Sequence, residues 1–347
     1  MTYGVIGGGS FGTAIANLIA HNGKVLLLVR KPEVVNNILN TGEHRGQKMH
    51  PNIQPILDAA QLCQNCQLLF PVIPSDEFKG MINSLAKWLR PDHVLIHGTK
   101  GLNIQHLNYS SSNDGKIQKL SREHIKTMSD LICQQSVVIR VGCLSGPNLA
   151  REIAAGQPTA TVIASRFDEV IELGKTALKS ERFKVYGSHD ITGIELAGVL
   201  KNIMAIGSGM LSGLGFGENT RAMLITRGLG EMVKLGQALG AEAHAFMGLA
   251  GIGDLVATCS SSLSRNYTVG YQLSQGKTLP DIIAQLGEVA EGVKTIKLAR
   301  GLIENYHIQA PITESLYNII FNNMPISEGL RYLMEHQLDK DADFMLT

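Results

Sequence analysis

The sequence predicts an α/β protein in two parts, a doubly wound, mostly parallel sheet followed by an all-α C-terminal domain. Short β-branched runs alternate with helical stretches along the first half of the chain, which is typical of βαβ units in a parallel sheet. From about Asp190 these strand signals stop, and long stretches rich in Ala, Gly, Leu and Met follow. We therefore place the boundary near "VYGSHDITG" and expect domains at residues 1–189 and 190–347.

The predicted strands are short apolar runs separated by helical or turn-rich segments. They are "YGVIG", "KVLLLVR", "QLLFPV", "HVLIHGT", "SVVIRVG", "TATVIAS" and "FKVYGS". A polar, turn-rich segment that begins at Asn108, "NYSSSNDGKIQ", predicts an exposed loop.

Length and charge narrow the class of protein. A chain of 347 residues exceeds what one hydrophobic core usually serves. A formal net charge of +1 gives no indication of a nucleic-acid or membrane partner. We find no apolar run near the roughly 20 residues that span a bilayer and no charged n-region at the N-terminus. We expect a cytoplasmic protein without stable membrane insertion.

The cysteines indicate free thiols. Five cysteines form an odd, scattered set, which argues against a disulfide framework and for a reducing compartment. Cys63 and Cys66 have CxxC spacing, but a zinc site needs four ligands and we find no second ligand pair. We therefore expect no metal site.

A glycine turn follows the first predicted strand and opens a helix. Gly7, Gly9 and Gly12 stand in G-x-G-x-x-G register within "GVIGGGSFGTAIANLIAHNG". In this setting Gly7 permits the tight turn, Gly9 lets a pyrophosphate approach the backbone, and Gly12 lets helix and strand pack closely. Free amides at the helix start then meet the phosphate charge. The turn predicts a dinucleotide cofactor.

The end of the second strand discriminates between NAD and NADP. An acidic residue about 20 positions after the turn binds the ribose hydroxyls of NAD. This sequence instead places Arg30 and Lys31 there, and two cations suit a 2′-phosphate. NADP is our first choice, and NAD stays open because Glu33 lies nearby.

Two lysines are candidates for chemistry. Lys201 lies in the apolar helix "ELAGVLKNIMAIGSG", where it either snorkels into water or faces a cleft as a desolvated proton-transfer group. Lys100 follows a predicted parallel strand, the usual position of the ligand crevice.

Six motifs in order resemble the NAD(P)-dependent glycerol-3-phosphate dehydrogenases. They are "GVIGGGSFGTAIA", "GTKG", "SGPNLAREIAAGQPTA", "ELAGVLKNIMAIGSG", "GIGDLVATCSSSLSRN" and "VAEGVKT". The resemblance spans nearly the whole chain. It implies a Rossmann-type N-terminal domain, a helical second domain and a homodimer. It also implies interconversion of sn-glycerol 3-phosphate and dihydroxyacetone phosphate, supplying phospholipid synthesis.

The resemblance assigns roles residue by residue. Lys201 corresponds to the catalytic proton donor and acceptor, and Asp254 to its paired acid, for which a helix N-cap is the structural alternative. The further substrate contacts it implies are Lys100, Gly146, Asn148, Ser264, Arg265 and Asn266. The cofactor contacts it implies, beside the glycine turn, are Ser10, Phe11, Lys100, Ala150, Arg265, Val289 and Glu291.

The sequence departs from the family pattern in two places. Asn148 stands where the family more often has serine or threonine, and the segment between "TKG" and "SGP" is longer than usual. Neither departure touches the residues assigned to proton transfer.

Three different functions remain compatible with the sequence. A 3-hydroxyacid or 6-phosphogluconate dehydrogenase also places a lysine after a Rossmann domain, although "SRN" after "GDL" argues against both. A regulator that binds NADP without turnover would keep the same glycine turn. A Schiff-base enzyme would use a lysine as a nucleophile.

Overall fold

The computed structural model describes residues 1–104, 119–287 and 290–335. The chain divides into two compact units. The first comprises Met1–Asn103 and Lys126–Glu195, and the other described residues form the second. The loop predicted from Asn108, "NYSSSNDGKIQ", lies outside the described residues.

The first unit contains an eight-stranded sheet in the order β12-β11-β10-β7-β6-β1-β2-β5. Neighbouring strands are parallel except β10 and β11. The described strands are β1 Thr2–Ile6, β2 Lys24–Leu28, β3 Glu43–His44, β4 Gln47–Lys48, β5 Ile53–Ile56, β6 Leu68–Pro71, β7 Val94–His97, β8 Asn103–Ile104, β9 Ile125–Lys126, β10 Arg140–Ser145, β11 Thr159–Ser165 and β12 Phe183–Ser188.

Helices cover both faces of this sheet. Adjacent residues of β6 show this directly, because Leu69 belongs to one buried cluster and Phe70 to another. The predicted doubly wound fold is confirmed. The helices are α1 Ser10–Ala20, α2 Pro32–Thr41, α3 Ala59–Asn65, α4 Ser75–Leu85, α5 Met128–Gln135, α6 Ala150–Ala154 and α7 Asp168–Leu178.

The sheet differs from the predicted one at two strands. A strand was expected at "SVVIRVG", whereas β10 begins at Arg140 and continues to Ser145. The edge strand β5, which contains Pro55, was not predicted. Proline is tolerated at a sheet edge, but it weakens the strand signal in the sequence.

The second unit is built from helices, as predicted. Its long helices begin with α8, Ile191–Gly213, whose first turn still belongs to the first unit. A π-helical turn, Leu249–Gly253, leads directly into α10. The following helices are α9 Glu218–Ala238, α10 Asp254–Cys259, α11 Arg265–Ser274, α12 Leu279–Leu286, α13 Glu291–Tyr306, α14 Pro311–Phe321 and α15 Ile326–Glu335.

Helix α8 shows that one expectation was wrong, namely that the chain has no apolar run long enough to span a bilayer. Its 23 residues have a mean hydropathy of 1.3 over their most apolar window, enough by length and composition to cross a membrane. The whole window is buried inside the protein. Because a helix that is buried on every face needs the same apolar composition, the burial of α8 accounts for its hydropathy.

Candidate active site

The glycine turn has the geometry that a bound dinucleotide requires. Gly7 has φ +117, which L side chains rarely adopt, and a Cβ there would lie 2.5 Å from the Val72 carbonyl oxygen. A Cβ on Gly12 would lie 2.0 Å from the Gly7 oxygen. A Cβ on Gly9 would meet nothing within 4 Å. Gly7 and Gly12 are therefore required by the fold, whereas Gly9 leaves space for a ligand.

The start of α1 is open to an anion. Gly9 is its N-cap residue and no side chain caps the helix. Ser10 is exposed, and the Phe11 ring lies against Gly98, because a Cβ on Gly98 would come within 2.9 Å of Phe11 Cε1. Uncapped first-turn amides and the helix dipole favour a phosphate group at this end. The residues present fit a dinucleotide.

The β3–β4 hairpin makes a contact to this turn that was not predicted. His44, on the hairpin, places Nε2 2.7 Å from the Gly8 carbonyl oxygen, and Gln47 Nε2 donates to the Ser10 oxygen at 3.4 Å. The hairpin therefore contacts the glycine turn at two points, Gly8 and Ser10. A two-residue strand in "EHRGQK" carries no hydrophobic alternation that would have revealed it.

The two cations proposed for the 2′-phosphate lie on the surface. Arg30 Nη1 contacts Glu77 Oε2 of α4 at 2.9 Å, and the Arg30 side chain is 78% exposed. Lys31 Nζ lies 3.9 Å from Glu33 Oε1. Glu33 therefore lies beside Lys31, and the guanidinium of Arg30 forms an ion pair with the carboxylate of Glu77.

Three predicted residues of the first unit come together beyond β10. Lys100 Nζ donates to the Gly146 carbonyl at 3.3 Å. Asn148 Nδ2 donates to Thr161 Oγ1 at 2.8 Å, and Thr161 in turn donates to the Ser145 carbonyl. Asn148 Oδ1 and Ser145 Oγ are buried without a hydrogen-bond partner in the part of the chain that the structure describes. Buried unpaired acceptors and donors at a predicted substrate segment suit a polar ligand. Ala150 begins the adjoining α6.

In the second unit, Lys201 is buried against a carboxylate. Lys201 is 4% exposed and Asp254 is 2% exposed, and Nζ donates to Asp254 Oδ1 at 2.8 Å. Nζ also hydrogen-bonds Thr258 Oγ1, and that hydroxyl donates to the same Oδ1 at 3.1 Å. The snorkelling interpretation of Lys201 is therefore wrong, since its ammonium lies in a dry polar cluster.

Helix α10 positions the two partners of Lys201. Asp254 and Thr258 are four residues apart and share one helix face. Ser208 Oγ donates to the Cys259 carbonyl at 2.6 Å, which ties α10 to α8. The N-cap alternative for Asp254 is wrong, because Gly253 occupies that position and Asp254 is the first helical residue. Thr258 was not predicted. Its position four residues after Asp254 in "GDLVATC" places both side chains on one helix face, and this spacing could have identified it.

Helix α11, which begins at the predicted substrate contacts Ser264, Arg265 and Asn266, crosses α8 at very close range. A Cβ on Gly270 would lie 1.8 Å from the Ile206 oxygen, and one on Gly209 would lie 2.0 Å from the Tyr267 oxygen. Ser264 is the N-cap of α11, and its Oγ accepts from Tyr267 N at 3.3 Å. Arg265 follows as the first helical residue and is exposed.

Asn266 links α11 to the start of α13. Its Oδ1 accepts from Gly292 N at 2.9 Å, and a Cβ on Gly292 would lie 2.5 Å from the Asn202 carbonyl oxygen. Asn266, Gly292 and the residue after Lys201 therefore converge, with Glu291 adjoining them. Val289, also predicted to contact the cofactor, lies outside the described residues.

The cysteines of the CxxC pair are buried free thiols. Burial raises the pKa of Cys63 to about 11 and that of Cys66 to about 12, so both are protonated at neutral pH and are poor ligands or nucleophiles. Within the described ranges, no group of three or more His, Cys, Asp or Glu side chains is arranged to hold a metal ion.

The second unit also contains a mostly apolar, partly open pocket of about 340 Å³ between α8, α9, α14 and α15. The buried carboxylate of Glu231 forms part of its wall. None of the predicted substrate or cofactor residues lines this cavity. It is therefore separate from the Lys201 cluster.

Comparison with known proteins agrees with the resemblance. Family models described as the N-terminus and C-terminus of NAD-dependent glycerol-3-phosphate dehydrogenase match residues 2–171 and 190–331. A glycerol-3-phosphate dehydrogenase [NAD(P)+] of Ectopseudomonas mendocina is 40% identical over 348 residues, covering 99% of this chain and 97% of the relative. One from Azotobacter vinelandii is also 40% identical, with the same coverage.

Solved structures support the same grouping. The crystal structure of glycerol-3-phosphate dehydrogenase from Coxiella burnetii has a TM-score of 0.84 at 28% identity, covering 96% of this chain and 99% of that chain. A ketopantoate reductase from Ralstonia eutropha, at 14% identity and a TM-score of 0.55, shares the fold alone.

Proposed function

The chain belongs to the NAD-dependent glycerol-3-phosphate dehydrogenase family, and we propose that it interconverts sn-glycerol 3-phosphate and dihydroxyacetone phosphate with NAD or NADP. The observation that carries the proposal is the buried Lys201–Asp254–Thr258 cluster. Nicotinamide, when bound, supplies the hydride to the carbonyl carbon or removes it from the alcohol carbon. Residues 1–189 form the dinucleotide-binding domain and residues 190–347 the substrate domain.

Lys201 holds and moves the proton. In the reducing direction, charge develops on the carbonyl oxygen, and the Nζ ammonium stabilises that charge and donates a proton to it. In the oxidising direction, the neutral amine accepts the hydroxyl proton. General acid–base help of this kind contributes roughly 10²–10⁴-fold. Because the Lys201 and Asp254 side chains are almost fully buried, electrostatic interactions in the cluster are stronger than in bulk water.

Asp254 and Thr258 act on Lys201. The Asp254 carboxylate accepts a hydrogen bond from Nζ at 2.8 Å and holds the lysine side chain in place. The Thr258 hydroxyl contacts both groups and fixes the direction of the Nζ protons. Asp254 also contacts the substrate in this proposal.

The substrate phosphate is held at the start of α11. Arg265 supplies a bidentate guanidinium, and Ser264 and Asn266 flank it with hydroxyl and amide donors. The first-turn amides of an α-helix add to the attraction for an anion. Lys100, Gly146 and Asn148 are further proposed contacts of the substrate.

NADP is the proposed preferred cofactor. Gly7, Gly9, Gly12, Ser10 and Phe11 hold the dinucleotide at α1, and Ala150, Val289 and Glu291 are further proposed contacts. Arg30 and Lys31 bind the 2′-phosphate. The contact of Arg30 with Glu77 is exposed, and surface ion pairs of this kind contribute only about 0–1 kcal/mol. A phosphate dianion therefore competes effectively for Arg30.

We further propose that the enzyme is a cytoplasmic homodimer that supplies glycerol 3-phosphate to phospholipid synthesis. The family relationship supports this assignment.

The test is NADPH oxidation by the purified chain with dihydroxyacetone phosphate. We expect loss of NADPH absorbance with that substrate and much slower loss with dihydroxyacetone, which lacks the phosphate. Turnover of a 3-hydroxyacid or of 6-phosphogluconate, with none of dihydroxyacetone phosphate, would replace the proposal with the related dehydrogenases. NADPH binding without turnover of any of these would indicate the silent regulator.

A further inference from the structure

A buried contact joins the end of β7 to the first turn of α8. His97 Nε2 lies 2.9 Å from Glu195 Oε1, and the two side chains are 1% and 5% exposed. Ser129 N, in the first turn of α5, donates to the same carboxylate oxygen at 3.0 Å. His97 Nε2 also lies 3.1 Å from Ser129 Oγ. One carboxylate oxygen thus ties α8 to a central strand and to a second helix.

The protonation of this contact follows from its geometry. A lone pair on His97 Nε2 would face the Glu195 oxygen, so Nε2 carries the proton. His97 Nδ1 has no hydrogen-bond partner among the residues that the structure describes. The Nε2 proton of His97 is therefore directed at Ser129 and Glu195.

His97 and Glu195 each lie close in sequence to a proposed active-site residue. His97 is the last residue of β7, and Gly98, Thr99 and Lys100 follow it directly. Glu195 stands six residues before Lys201 on the continuous helix α8, a rise of about 9 Å along the helix axis. Glu195 and Lys201 therefore lie on one uninterrupted helix.

We propose that Glu195 is a positioning residue for catalysis, which holds the start of α8 through His97 and Ser129 and so fixes the helix that carries Lys201. The proposal rests on the function proposed for Lys201. Hydride transfer needs the reacting atoms about 3–3.5 Å apart, and a 1 Å misplacement from a distant substitution can cost about 10²-fold in rate.

The test compares three variants of the first turn of α8. Glu195→Ala removes the carboxylate, and we expect kcat to fall by about 10²-fold while the Kd for NADPH stays within about twofold. Glu195→Gln keeps an oxygen that accepts from Ser129 N and faces His97 Nε2, and we expect kcat within about threefold of the wild type. Asp190→Ala is the matched control, because Asp190 Oδ1 caps the same helix through Gly193 N at 2.7 Å. We expect it to lower Tm with little change in kcat.

Two further variants separate the possible failures. His97→Phe keeps a ring against Phe78, which His97 now meets edge-on at 5.7 Å, and it should lower kcat no further when combined with Glu195→Ala. A Glu195→Ala enzyme with normal kcat and only a lower Tm would overturn the proposal, as would independent, multiplying losses in the double variant. A 10²-fold loss in Glu195→Gln would also overturn it, because charge rather than position would then matter. Activity in Lys201→Met would instead overturn the proposed function.

Discussion

Lys201 Nζ lies 2.8 Å from Asp254 Oδ1, and the two side chains are 5% and 3% exposed. An ion pair this dry carries a large desolvation penalty, which its mutual attraction and the Thr258 hydroxyl offset. Such a pair is a poor source of stability, and a hydrophobic pair of similar volume would serve the fold as well. The pair is therefore explained by chemistry rather than by folding.

The buried pair predicts an asymmetry in stability. Asp254→Asn leaves a buried ammonium without its counter-charge and should lower the free energy of unfolding by about 3–5 kcal/mol. The double variant Lys201→Met with Asp254→Leu should recover most of that loss while remaining inactive. Urea unfolding followed by circular dichroism measures both. A single variant as stable as the wild type, or a double variant less stable than the single one, would contradict this account.

The two glycines of the dinucleotide turn should separate folding from binding. Gly9→Ala adds a methyl group where nothing lies within 4 Å, so the protein should fold normally but bind NADPH about tenfold or more weakly. Gly12→Ala brings a Cβ within 2.0 Å of the Gly7 oxygen and should destabilise the first unit itself. Thermal unfolding and fluorescence titration with NADPH distinguish the two effects. Unchanged NADPH affinity in Gly9→Ala would show that the space at Gly9 is not a ligand site.

Arg30 and Glu77 should have opposite effects on cofactor preference. Arg30→Asp removes a charge-assisted contact to the 2′-phosphate, and the ratio of kcat/KM for NADPH to that for NADH should fall by about 10–100-fold. Glu77→Gln frees Arg30 from its 2.9 Å contact and should tighten NADPH binding by up to about fivefold. Lys31→Gln is the control for general loss of surface charge. An unchanged ratio in Arg30→Asp would remove Arg30 from the phosphate site.

Glu231 predicts a pH dependence of stability away from the active site. Burial raises the pKa of Glu231 from 4.5 to about 7, against the opposing effect of hydrogen bonds from Thr313 and from Ile312 N. Between these two values the folded chain holds a proton that the unfolded chain releases. Stability should therefore fall as pH rises from about 4.5 to about 7, by up to about 3 kcal/mol.

The control for this prediction is Glu231→Gln, which does not titrate. Urea midpoints of the two proteins, measured in steps across that pH range, should diverge, with the wild type losing stability relative to the glutamine variant as pH rises. A difference that is constant with pH would show that Glu231 titrates normally.

The fold was predictable because its signals are local. Alternating strands and helices, the glycine turn and the loss of strand signals near Asp190 each depend on a few neighbouring residues. The edge strand β5 was not predicted because Pro55 interrupts its apolar pattern. The β3–β4 hairpin was not predicted because two-residue strands have no periodicity.

The site was predictable only in part, because its chemistry depends on contacts distant in sequence. The neighbours of Lys201 on its own helix face are uncharged. Its hydrogen-bond partners, Asp254 and Thr258, lie on α10, 53 and 57 residues later in the sequence. Only the family resemblance pointed to Asp254. Thr258 and the His97–Glu195 contact join elements whose packing no local pattern encodes.

The central claim is that Lys201 carries the proton during hydride transfer, and Lys201→Met tests it most directly. Steady-state reduction of dihydroxyacetone phosphate by NADPH, together with a fluorescence titration of NADPH binding, gives kcat and Kd for the same preparation. We predict a kcat at least about 10²-fold below the wild type with a Kd for NADPH within about twofold. A kcat close to that of the wild type, or a loss of NADPH affinity as large as the loss of kcat, would contradict the account.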